Sequence, residues 1–180
     1  MPKKAYFNAM DIALAGVFSA LWAILSVTLG RLGFVWFGLP VFCDFAAFFT
    51  LTLSTWATGK FGVASIVGIV GSVITFMFNP QPTVFVFAAA AILFDMLMAA
   101  CRHRIQVKAF NLTIVALATL TSAYLAGTVI GLFFMNRSAD WVLTMWGGWH
   151  MAGGVMSIVV VIPVVGVLER ANLARIKNGS

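Results

Sequence analysis

Asp44, Asp95 and His150 fall inside long apolar runs of the chain. An ionisable side chain in hydrocarbon is costly, so each of these three must face a protein interior, a partner or a water-filled cavity. Two carboxylates can exchange protons, and a carboxylate with an imidazole can serve as acid and base. Such work needs the groups within hydrogen-bond reach. Asp44 lies one turn inside its run and Asp95 about two-thirds of the way down another, so they sit at different depths with no relay between them. No HExxH or GxSxG motif is present. An intramembrane enzyme is therefore the weakest reading, and no catalytic residue is assigned. Asp95 is given a structural role, pairing with Arg102 or Lys108 or capping a helix–helix contact. Asp11 is expected at the interface, close to Lys3 and Lys4.

A second kind of chemistry is stacking with hydrogen bonding. Trp141, Trp146, Trp149 and His150 cluster at the start of the last apolar run. Arg31 and Trp36 lie between the first two runs, and Asn79 and Gln81 between the third and fourth. Tryptophans gather at membrane interfaces as aromatic belts, which is one account of them. A belt does not explain His150, about two turns into its run. Aromatic rings with a few convergent polar groups describe a small-molecule pocket. The candidate substrate-binding residues are thus Trp141, Trp146, Trp149, His150, Asn79, Gln81, Asp44, Arg31 and Trp36. If Asp44 faces the pocket, a cationic ring is favoured; stacking alone suits any flat heterocycle.

The elements that must position these residues are membrane spans. Of 180 residues, 62% are hydrophobic and 9% charged, more apolar surface than a soluble domain of this size can hide. A spanning helix needs about 20 mostly apolar residues. Runs at about 9–29, 40–57, 62–78, 83–101, 109–134 and 143–168 meet that need. They predict an all-α integral membrane protein, a compact bundle of six transmembrane helices in one domain spanning 1–180. Run length and the lack of alternation exclude a β-barrel. Pro163 is expected to kink or break the sixth span.

Nine of the eleven basic residues fall in alternate gaps: Lys3, Lys4, Lys60, Arg102, Arg104, Lys108, Arg170, Arg175 and Lys177. Only Arg31 and Arg137 fall in the others. Short Lys- and Arg-rich loops stay cytoplasmic. The pattern places both termini in the cytoplasm, in the plasma membrane, with Arg31, Asn79 and Trp141 outside. Dispersed basic residues suit an anionic lipid leaflet and give no stripe for nucleic acid. The first apolar run is too long for a signal peptide's core and is taken as a retained span. Cys43 and Cys101 fall near opposite faces, and no Cys/His cluster suggests a metal.

Span one also carries Ala9, Ala13, Gly16, Ala20 and Ala23 on one face, spaced four, three, four and three. Small residues at that spacing let another helix approach closely in lipid. That approach is either packing inside the bundle or docking of another protein.

With these features the chain resembles the substrate-capture (S) component of an energy-coupling factor (ECF) transporter, over essentially its whole length. Ala13-Leu-Ala-Gly-Val-Phe-Ser-Ala-Leu21 carries a small-xxx-small pair, Gly16 and Ala20, similar to the family's AxxxA pair, with Gly for the first Ala. Gly59-Lys-Phe-Gly62 and the run Val67-Gly-Ile-Val-Gly-Ser72 are also similar to the family. The resemblance implies capture of a vitamin or related micronutrient, thiamine- or riboflavin-like. It implies a transmembrane coupling protein docked on span one and two cytoplasmic ATPases. The chain itself lacks the GxxxxGK[ST] motif. No cofactor or metal is expected. The alternative is a non-transporting subunit or assembly factor of a membrane complex.

Overall fold

The computed structural model describes residues 6–105 and 109–171. Lys3, Lys4, Lys108, Arg175 and Lys177, on which much of the expected orientation rests, lie outside the described residues. Six helices form the body: α1 (Ala9–Phe37), α2 (Val41–Thr58), α3 (Val63–Phe78), α4 (Val84–Cys101), α5 (Ala109–Phe134) and α6 (Ala139–Arg170). No strand occurs among the described residues. Five of the helices are long and apolar enough to cross a membrane, and α3 is a shorter apolar helix of 16 residues. The protein is an all-α, multi-pass membrane protein.

Short turns connect the helices at alternating ends, and local chemistry ties each end together. At one end, Asn8 and Asp11 form a reciprocal capping box that starts α1, with both hydrogen bonds at 2.8 Å. Asp11 also meets Lys60 at 2.5 Å, so its described partner comes from the α2–α3 turn. Gly59 and Gly62 bracket that turn with φ of 61° and 93°, left-handed values that favour glycine. The start of α3 has no cap of its own. Asp95 of α4 supplies one: its Oδ2 accepts from Gly62 N, Ser65 N and Ser65 Oγ at 2.9, 3.1 and 2.7 Å. The ring of His103 closes the arrangement at 3.0 Å from Asp95 Oδ1. Asp95 therefore pairs with His103 rather than Arg102, and Lys108 lies outside the described residues.

At the opposite end, α1 does not stop at Gly30. It passes through a π turn, Ser26–Gly30, and continues to Phe37. The glycines there serve close approach rather than a loop: a Cβ on Gly33 would strike the Phe42 ring of α2. The first connection shrinks to 38–40, turned by Gly38 at φ 68°. In the same way α6 begins at Ala139, with a π turn at Val142–Trp146. It remains helical through Pro163.

Candidate functional site

Four helices and one turn line a cavity of about 510 Å³ at the end of the bundle remote from Ala9 and Arg170. Its size falls in the range typical of small-molecule sites. From α1 come Trp22, Ser26, Arg31 and Phe34; from α2, Cys43. From α3 and α4 come Ser72, Thr75, Phe78 and Phe87, with Asn79 and Gln81 on the turn between them.

The deep wall is built on glycine. Trp22 is 3% exposed, and its indole lies in a slot on α3. A Cβ on Gly71 would fall 2.5 Å from that ring, and Gly68 lines the same slot. Ser72 donates to the carbonyl of Val84 at 2.9 Å and so holds α3 and α4 together along the cavity wall. Thr75 is buried, and its hydroxyl has no partner among the described residues. At the mouth, the side chains of Arg31, Asn79 and Gln81 likewise have no polar partner among the described residues. Their donors and acceptors are available to a ligand.

Beside this cavity lies a second cluster, built around a fully buried pair. His150 Nδ1 sits 2.8 Å from Asp44 Oδ2, and both side chains are at most 1% exposed. The approach is at ion-pair distance but off the line of a straight hydrogen bond, and both carboxylate oxygens of Asp44 and both ring nitrogens of His150 have no hydrogen bond among the described residues. Two glycines make room for the pair. A Cβ on Gly127 of α5 would lie 2.6 Å from the imidazole, and one on Gly153 of α6 would strike Val41 of α2. An aromatic ladder runs from the pair in both directions. Trp146 meets His150 edge-on at 5.6 Å, Trp141 stacks on Trp146 at 5.7 Å, and the Arg137 guanidinium lies 5.6 Å over Trp141. On the other side Phe87 lies 6.1 Å from the His150 ring and is itself part of the cavity wall.

The nine pocket candidates thus separate into three groups. Arg31, Asn79 and Gln81 line the cavity. Asp44, His150, Trp146 and Trp141 form the adjoining cluster, which reaches the cavity through Phe87. Trp36, 70% exposed, and Trp149, 40% exposed, lie on the outer surface and line neither. Trp22, Phe87, Thr75 and Cys43 are cavity residues that the sequence reading did not select. The paired glycines of α3 were the available signal for Trp22, since a small-residue slot needs a large side chain to fill it.

On α1, Ala9, Ala13, Gly16 and Ala20 are exposed, while Ala23 is buried. Nothing lies within 4 Å of a Cβ added to Gly16. The small face along these four residues is thus left uncovered by the bundle's own helices. A metal-binding cluster is absent among the described residues.

No protein-family model matches the chain, and no curated protein matches it. Among solved structures, one described as the crystal structure of an S-component of an ECF transporter shares its fold. The TM-score is 0.72 at 16% identity, over 95% of this chain and 90% of that one.

Proposed function

We propose that this chain is the substrate-capture subunit of an ECF-type importer. It takes a small aromatic heterocycle of vitamin type into the cavity between α1, α3 and α4. The observation that carries the reading is the cavity itself: an aromatic wall of Trp22, Phe34 and Phe87 with unpartnered polar groups at its mouth, on a fold shared with an S-component. Aromatic walls bind flat rings by offset stacking, and a few polar groups fix orientation.

In this reading the cavity end faces outside and both termini are cytoplasmic. The uncovered α1 face of Ala9, Ala13, Gly16 and Ala20 docks a transmembrane coupling protein, and separate ATPases supply energy. The chain performs no chemistry of its own. Small residues support such docking because they let helix backbones approach closely in lipid.

Trp22 gives the test. Purified full-length protein is titrated with a panel of vitamins while tryptophan fluorescence and thermal stability are followed. A ligand in the cavity should quench emission, and Trp22→Phe should remove most of the change while binding by dialysis persists. No response to any member, in either signal, would sink the capture reading.

A further inference from the structure

We infer that the captured ligand carries an anionic group, a carboxylate or phosphate, held by Arg31; this rests on the capture reading and deepens it. Arg31 is the one formally charged side chain on the described cavity wall, and no carboxylate lines that wall. Its guanidinium has no carboxylate partner among the described residues. An arginine beside an apolar cavity at the edge of a bilayer, with five donors in a fixed fork, matches a planar carboxylate or a phosphate.

The backbone does not supply a competing field. The C-terminal end of α3 and the N-terminal end of α4 both border the cavity, and their opposite partial charges offset each other. The amides of Asn79 and Gln81 add neutral hydrogen bonds at the same mouth. Asp44, the residue that would have favoured a cation, is engaged with His150 and does not line the cavity. A thiamine-like cation therefore finds rings to stack on but no counter-charge, and it meets Arg31 at the entrance.

The experiment has two steps on the full chain in detergent. Small molecules retained through purification are identified by mass spectrometry. Binding is then measured by equilibrium dialysis for pairs that share a ring and differ in the anionic group. The pairs are riboflavin 5′-phosphate with riboflavin, pyridoxal 5′-phosphate with pyridoxal, and nicotinate with nicotinamide; thiamine serves as the cation. The expected result is a retained molecule bearing carboxylate or phosphate, and about tenfold or greater preference for the anionic member of any pair that binds. Arg31→Gln should abolish that preference, with the anionic member losing about tenfold more affinity than the neutral one, and Arg31→Lys should keep part of it. A neutral or cationic retained ligand, equal binding within a pair, or a preference that survives Arg31→Gln overturns the inference and leaves the capture reading standing. A protein that retains nothing and binds no probe overturns both.

Discussion

His150 Nδ1 lies 2.8 Å from Asp44 Oδ2 in the buried seam between α2 and α6. Neither residue has another polar partner among the described residues, so each depends on the other. Removing one member of a buried pair leaves an uncompensated polar group and typically costs about 3–5 kcal/mol. His150→Ala and Asp44→Ala should each lower thermal stability strongly. The double variant Asp44→Leu with His150→Leu should be less destabilised than the sum of the singles, because no orphan remains. Additive losses in thermal unfolding would mean that the two residues act independently.

Gly127 and Gly153 create the space for that pair. Gly153→Ala should be among the most damaging glycine changes, since the added methyl meets the backbone of Val41 rather than a movable side chain. Overpacking of this kind costs about 1–3 kcal/mol. Gly148→Ala and Gly16→Ala meet nothing within 4 Å, both lie in helices, and neither should lower the unfolding temperature. Equal effects at all four positions would show that the seam yields.

Asp95 joins three donors at the start of α3 to His103 on the loop after α4. Hydrogen bonds to a charged group are worth about 1.5–3 kcal/mol each, and they do not simply add. Asp95→Ala should free the Gly59–Gly62 turn. The expected sign is faster amide hydrogen exchange at Gly62 and Ser65 with the distant cavity unaffected. Unchanged exchange there would remove the capping role.

The uncovered face of α1 can be blocked without touching the cavity. Gly16→Trp with Ala20→Trp should abolish uptake in cells that carry the coupling module while ligand affinity stays the same. Loss of affinity as well would show that the face belongs to internal packing.

How much of this was legible beforehand varied with the kind of residue. Spans were legible because hydrocarbon demands long apolar runs. Arg31, Asn79 and Gln81 could be assigned to one end because they sit at the ends of those runs. Asp44 and His150 stood out singly as ionisable groups in apolar surroundings, but their pairing depends on α2 meeting α6 through Gly153, a contact that no local pattern encodes. Trp22 was hidden because a tryptophan within an apolar run looks like any other core residue. His103, flanked by Arg102 and Arg104, was absorbed into a charge pattern. Arg102 and His103 both adopt positive φ, at 52° and 56°, where the chain leaves α4. The extension of α1 to Phe37 was obscured by Gly30 and Gly33, which suggest a loop until the Phe42 ring is seen against them.

The π turn at Ser26–Gly30 stands between the exposed small face of α1 and Arg31. Such a turn holds one residue more than the α-helical path requires. Deleting that one surplus residue would let the turn close to plain α-helical winding, so Arg31 and Phe34 would keep their side of the helix while Ala9, Ala13, Gly16 and Ala20 stay in place. The helix can thus lose one residue there while both of its ends keep the sides they now face.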